Sequence, residues 1–261
     1  MTRTAMVTGA SGGIGLEFAE QLAKQGYHVT LVARGGAKLA EHVARLGTGH
    51  RFLAADLSLP TDIARVADDV RATKYDLLVN NAGSGVYETF AEGPLEPTRA
   101  MMRLNMDSLV ELSHAFLQGA KRGDALMNVA STLALLSFPG AAVYCATKAF
   151  VTAFSEGLWF ENKPRGVYVA ALLPGVTKTN FHDAAGGAAD TKPPEAISQT
   201  SADVVSVAMQ ALEARSSPTI LTSFTNKAMV FFSTRVVPRK VMVNMMGGQS
   251  PVKPKAPQLS S

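Results

Sequence analysis

The sequence predicts an α/β fold: one doubly wound parallel sheet with helices on both faces, in a single domain. Three observations predict it. Short apolar runs alternate with amphipathic stretches almost from the first residue. Those runs are bounded by Gly, Asp or Pro and are apolar throughout, as strands buried on both faces must be. With 261 residues, 47% of them apolar and 18% charged, the chain has ample material for one sizeable core and no signature of wholesale disorder.

Taken in order, strands are expected at 5–7, 29–33, 50–54, 77–79, 125–129, 167–173 and 219–221. Helical periodicity falls between them, at 13–25, 36–46, 60–72, 96–118, 144–162 and 201–214. Regular alternation of the two gives parallel pairing through crossover helices, and no internal repeat interrupts it. Two stretches break the rhythm. Residues 180–200 are Ala/Gly-rich with a Pro193-Pro194 pair and follow the end of a strand, where open α/β sheets bind ligands; they read as a lid. Residues 247–261 are rich in Gly, Pro, Lys and Ser and read as a frayed end. The division expected is a dinucleotide-binding and catalytic domain over 1–224 and a C-terminal extension over 225–261.

Charge is unevenly spread. The net of +4 hides a body of −3, with 18 Lys and Arg against 21 Asp and Glu over residues 1–213. The other seven basic residues lie at 215–255, where no acid occurs. No basic stripe with interleaved aromatics runs through the body, so nucleic acid is not an expected partner. The single cysteine, Cys145, excludes an internal disulfide and a cysteine metal cluster, and favours a reducing compartment. The five histidines show no metal-ligand spacing, so no metal is expected. No charged segment followed by an apolar run opens the chain, and a cytoplasmic location is expected.

The run Thr8-Gly9-Ala10-Ser11-Gly12-Gly13-Ile14-Gly15 follows the first strand and opens the first helix. Glycines let the backbone turn tightly and approach a pyrophosphate, which the free N–H groups of the helix N-terminus then receive. Gly9, Ser11, Gly13, Ile14 and Gly15 are therefore candidate cofactor contacts. A carboxylate at the end of the second strand would select NAD through the ribose 2′-hydroxyl. Arg34 stands there instead, which suits a 2′-phosphate and points to NADP(H), although a solvated arginine would look the same in sequence. Asp56 and Leu57, after the third strand, are candidates for the adenine edge; Asp56 could equally cap the helix at Pro60.

Tyr144 and Lys148 are four apart and share a helix face. A free phenol has a pKa of about 10, and a neighbouring ammonium is expected to lower it toward useful acid–base chemistry. Ser131, at the end of the fifth strand, can hydrogen-bond the same substrate oxygen.

Together these residues resemble the short-chain dehydrogenases/reductases, over roughly residues 3–224. The resemblance rests on Thr8-Gly9-x-x-x-Gly13-x-Gly15, Asn80-Asn81-Ala82-Gly83, Asn105, Ser131, Tyr144-x-x-x-Lys148 and Pro174-Gly175-Val176-Thr177-Lys178-Thr179. It implies a Rossmann fold and hydride transfer between a nicotinamide and a carbonyl or secondary alcohol. It implies that Tyr144 is the acid or base, that Lys148 tunes it and binds the nicotinamide ribose, and that Ser131 orients the substrate oxygen. By the same likeness Asn105 anchors a water relaying protons to Lys148, Asn81 steadies the sheet beside the cofactor, and Thr177 and Thr179 lie near the carboxamide. A homodimer or homotetramer is implied, although the C-terminal end departs from the strand and glycine pair that help relatives assemble. That end has a looser likeness to the ketoacyl and ketosteroid reductases, implying a hydrophobic substrate. A catalytically silent NADP-sensing protein is the rival reading of the same fold.

Within 226–246, apolar groups alternate with Arg235, Arg239 and Lys240, and Pro238 interrupts any helix. Three readings compete: a segment packed on the domain, which is favoured, a cover for the substrate cleft or a partner, and an element lying on a membrane surface.

Overall fold

The computed structural model describes residues 2–186 and 198–250. Seven parallel strands lie in the order β3-β2-β1-β4-β5-β6-β7. They are β1 (Thr4–Thr8), β2 (His28–Ala33), β3 (Arg51–Ala54), β4 (Leu77–Asn80), β5 (Ala125–Val129), β6 (Tyr168–Leu173) and β7 (Thr219–Leu221). The helices are α1 (Gly13–Lys24), α2 (Gly36–Leu46), α3 (Pro60–Thr73), α4 (Leu95–Met102), α5 (Ser108–Gly119), α6 (Ala142–Asn162), α7 (Phe181–Ala184), α8 (Ser201–Ala214), α9 (Phe224–Arg235) and α10 (Arg239–Gly248).

Every residue of β4, β5 and β6 is buried, which is why those strands are apolar without alternation. Successive side chains feed opposite cores, as a period of two requires. Ala5, Val7, Val79 and Met127 pack with Phe18 and Leu22 of α1 and Val204 and Ala208 of α8. Met6, Leu78 and Leu126 pack with Ile63 and Val66 of α3 and Leu112 and Phe116 of α5. Strand order reverses between β1 and β4, and the crevice at their carboxyl ends is where such sheets bind ligands.

A buried polar ladder fixes the helix that matters most. Asn80 Nδ2 donates to Ser113 Oγ (3.1 Å) and to Asn128 Oδ1 (3.0 Å), and Asn128 Nδ2 donates to Ser155 Oγ (2.9 Å). Ser155 lies on the same face of α6 as Tyr144, Lys148 and Val151, all four of them buried. Strand and helix are thereby locked in register over the residues with chemical potential.

Two departures from the sequence expectation have physical causes, while the break expected at Pro238 is met. The helix expected at 96–118 is interrupted by one π turn, Arg103–Asp107, which carries Asn105. Such insertions recur at functional sites because they aim a side chain that a regular helix would misdirect. The apolar tail forms two helices, α9 and α10, with Pro238 as the break. Finally, α10 runs to Gly248 and Ser250 is buried, so the fraying expected from 247 does not hold as far as 250. Residues 251–261, and the 187–197 portion of the expected lid, lie outside the described residues.

Candidate active site

The glycine turn is shaped by what stands behind it. Gly9 has φ +68°, and a Cβ there would lie 2.7 Å from Asn81 Nδ2 and 2.9 Å from Ala82 Cα. A Cβ at Gly15 would overlap the carbonyl oxygen of Gly9. Both positions therefore exclude any side chain, and the loop keeps its backbone bare toward the crevice. Thr8 and Asn81 stitch the two strands at the switch point. Thr8 Oγ1 accepts from Asn81 N (3.0 Å) and Ala82 N (2.9 Å), and Asn81 Nδ2 donates to Thr8 O (2.8 Å). Ser11 is held from below by His42, whose Nε2 lies 3.3 Å from its carbonyl oxygen. Arg45 donates to His42 Nδ1 (3.2 Å), so the proton belongs on Nε2, facing Ser11. Ile14 packs against the core beneath α1.

Arg34 follows β2 and is exposed, joining none of the ion pairs among the described residues. One turn further on, Lys38 extends toward the loop, with Nζ 3.9 Å from where a Cβ on Gly12 would be. Sequence reading took up Arg34 and passed over Lys38, although the spacing Arg34-x-x-x-Lys38 was itself the signal. Asp56 Oδ1 accepts from Ser58 N (3.0 Å) and Ser58 Oγ (2.7 Å), making a tight turn. Asp56 is not the helix cap; that position is Leu59, without a side-chain bond. The Leu57 side chain is buried in the core, which leaves only its backbone to face the crevice.

On the other side of the switch point, α6 presents Tyr144 and Lys148, 6% and 4% exposed. Lys148 Nζ donates to Val129 O at the end of β5 (2.9 Å) and lies 5.9 Å from the centre of the Tyr144 ring. Burial brings the lysine pKa down to about 8. Burial likewise raises Tyr144 well above the usual phenol value; the charge of nearby Tyr87 adds to this and a hydrogen bond with Ser131 opposes it. This departs from the expectation that Lys148 would depress the phenol, because desolvation of the phenolate outweighs every favourable contact. A phenol so placed keeps its proton at neutral pH and is disposed to donate it.

Ser131 lies two residues past the end of β5 and caps a short 3₁₀ turn, accepting from Leu133 N (3.2 Å). Asn105 reaches across from the π turn. Its Nδ2 donates to Ser84 O (3.0 Å) and Thr147 Oγ1 (3.1 Å), and its Oδ1 accepts from Ser84 N (3.0 Å). The Asn80–Gly83 turn is thus tied to α6. Gly83 leaves room for both, since a Cβ there would sit 3.2 Å from Asn105 Oδ1 and 3.3 Å from Lys148 Nζ.

The loop after β6 closes the ring of elements. Thr177 pairs with Gln199 in a parallel bridge, and its Oγ1 donates to Gly175 O (3.0 Å). Thr179 approaches the glycine turn, with Cγ2 3.0 Å from a Cβ built on Gly13. Phe181 of α7 brings its ring to 5.5 Å from that of Tyr144. Asn226, at the start of α9, fits against Gly175 where a Cβ would collide with it, and donates to Gln199 Oε1 (3.0 Å). Phe181 and Asn226 were not singled out from sequence. Their contacts span dozens of residues and leave no local pattern.

The structure thus sets a bare glycine turn, at the switch point of a doubly wound sheet, opposite a buried tyrosine–lysine pair. The family model described as short chain dehydrogenase matches residues 3–188. The chain belongs to the short-chain dehydrogenase/reductase family. It is 33% identical over 180 residues to the very-long-chain 3-oxoacyl-CoA reductase of Rattus norvegicus, covering 65% of this chain and 58% of that one. The match thus spans less than two thirds of that reductase. It is 32% identical over 206 residues to the uncharacterized oxidoreductase YbbO of Escherichia coli K12, covering 75% and 73%. The structure superimposes with a TM-score of 0.78 on a short-chain dehydrogenase from Sphingobium yanoikuyae in complex with NADPH, 30% identical, covering 90% and 96%.

Proposed function

We propose that this chain is an NADP(H)-dependent reductase acting on the carbonyl of an apolar substrate, or on the matching secondary alcohol in reverse. The observation that carries the reading is the trio at the crevice: a buried, proton-bearing Tyr144, buried Lys148 one turn away, and half-buried Ser131, which bears on the titration of the tyrosine. The glycine cradle fits a dinucleotide, since a Cβ at Gly9 or Gly15 would fill it.

In this reading Gly9, Ser11, Gly13, Ile14 and Gly15 receive the pyrophosphate, and Arg34 with Lys38 receives the 2′-phosphate. The turn at Asp56 and Leu57 borders the adenine, and Thr177 and Thr179 flank the carboxamide. Asn81 holds the glycine turn from behind. The bound nicotinamide supplies or accepts the hydride. Tyr144 donates its phenolic proton to the substrate oxygen as that oxygen gains charge, and Ser131 steadies the same oxygen. With a pKa near 8, Lys148 is largely an ammonium at neutral pH; it stabilises the phenolate that forms and holds the ribose hydroxyls. Asn105 acts through others, keeping the Asn80–Gly83 turn and α6 in place. Support for an apolar substrate comes from Phe181 and Tyr87 beside Tyr144, and from the acyl substrate in the rat reductase's name.

The test is NADPH oxidation with ketones, 3-ketoacyl thioesters and ketosteroids, with NADH run in parallel. NADPH-dependent turnover of an apolar carbonyl is expected. Tight NADPH binding with no turnover of any class would favour a cofactor sensor, and a strong preference for NADH would overturn the role given to Arg34 and Lys38.

A further inference from the structure

The two C-terminal helices keep their apolar side chains in the wrong place for a segment that merely packs. Of the fourteen large apolar side chains exposed among the described residues, seven fall between 224 and 245. On α9 only Asn226 and Val230 are buried, and on α10 only Met242. At about 100° per residue, Phe224, Phe231 and Phe232 fall on the side of α9 opposite that buried stripe. They are 85%, 54% and 57% exposed, and Val236, Val241 and Met245 continue the apolar surface. Lys227, Arg235, Arg239 and Lys240 are exposed among them, and no acidic residue occurs beyond Glu213. Arg239 also reaches Ser137 Oγ (3.2 Å), which holds α10 against the loop after Ser131.

We infer that the outer face of α9 and α10 docks on an anionic lipid surface. The exposed aromatic and aliphatic groups, with Lys and Arg among them, supply the two contacts such docking uses: apolar groups enter the acyl boundary while cations meet lipid phosphates. No described helix is long and apolar enough to cross a membrane, so the element lies in the interface plane. Charge argues for lipid over a second copy of the chain. A two-fold contact through this face would set Lys227, Arg235, Arg239 and Lys240 against their own equivalents. The inference stands apart from the proposed reaction, because it concerns a surface whose occupancy is measured without turnover.

The experiment is co-sedimentation of the full chain with vesicles of phosphatidylcholine alone and of phosphatidylcholine mixed with phosphatidylglycerol. Binding to the mixed vesicles, weakening as salt is raised, is expected. Lys227→Glu with Arg235→Glu is expected to weaken it about 25-fold or more, at about fivefold for each cation lost. Phe224→Ser with Phe231→Ser and Phe232→Ser is expected to weaken it at least as much even at low salt, at roughly tenfold per buried ring. Circular dichroism and thermal unfolding matching the unsubstituted chain establish that the variants are folded. Absence of sedimentation with either vesicle overturns the inference, as does binding that neither set of substitutions alters. Self-association of the unsubstituted chain that the serine variant abolishes, without vesicle binding, assigns the face to a second copy and overturns it too.

Discussion

Two groups of cations face the same crevice under opposite conditions. Lys148 is 4% exposed and donates to a backbone carbonyl; among the described residues no carboxylate is hydrogen-bonded to it. Arg34 and Lys38 stand in water on the far side of the glycine turn. A dry cation interacts strongly with any nearby charge but destabilises the fold that holds it, and its pKa falls. A wet cation costs the fold little, gains little until a phosphate arrives, and can be exchanged without disturbing the core. In the proposed reading, chemistry and cofactor selectivity are thus divided by solvent exposure, with the acid–base chemistry on the dry side and the recognition of the cofactor's phosphate on the wet side.

The strongest challenge to that division is Tyr144→Phe, which removes the proposed proton donor and leaves the ring packed against Phe181. A drop in kcat of about 10²- to 10⁴-fold is expected, the range for losing a positioned general acid, with NADPH affinity nearly unchanged. Steady-state kinetics beside a fluorescence titration of NADPH distinguish the two. Retained turnover would move the chemistry elsewhere.

Arg34→Ala combined with Lys38→Ala tests the wet side. Each cation makes charge-assisted contacts to a 2′-phosphate in the proposed reading, so roughly 10- to 100-fold weaker NADPH binding is expected, with NADH binding and saturated turnover preserved. Comparing kcat and KM for both cofactors checks this. A fall in kcat with either cofactor would show that the two regions are not separable.

What could be read from sequence follows the same line. The parallel sheet was legible because buried strands must be apolar on both faces, as at 168–173 and 77–80. The glycine turn, Ser131, Tyr144 and Lys148 were legible because they lie within short spans whose spacing carries the geometry. The π turn at 103–107 was not, since inserting one residue into a helix leaves the apolar pattern almost unchanged. Neither was the rise in the Tyr144 pKa. Sequence showed the neighbouring ammonium but not the burial that outweighs it. Asn226 against Gly175 was beyond reach for a different reason: nothing local to either residue announces a contact 51 positions away.

Lys148→Met turns the comparison into a statement about stability. Methionine has similar length and no charge to desolvate. Since burial lowers the lysine pKa from 10.5 to about 8, the ammonium destabilises the folded state near neutrality by about 3 kcal/mol. The variant is therefore expected to lose activity and yet unfold at a higher temperature at pH 7, as measured by calorimetry. A lower Tm would mean that the Val129 hydrogen bond outweighs desolvation.

The smallest effect is the pH dependence of that stability, and it fixes the sign. Between about pH 8 and 10.5, Lys148 is neutral when folded and still protonated when unfolded, so the unfolded state binds more protons. Stability then rises with pH across this window, by at most about 1.4 kcal/mol per pH unit from this one group, and the contribution is absent below pH 8. Denaturant unfolding from pH 7 to 10.5 should show the term in the unsubstituted chain and lose it in Lys148→Met, so the difference between the two curves isolates it from other titrating groups. If the difference curve were flat, Lys148 would be as solvated as Arg34, and the contrast between a dry and a wet cation would fail at its root.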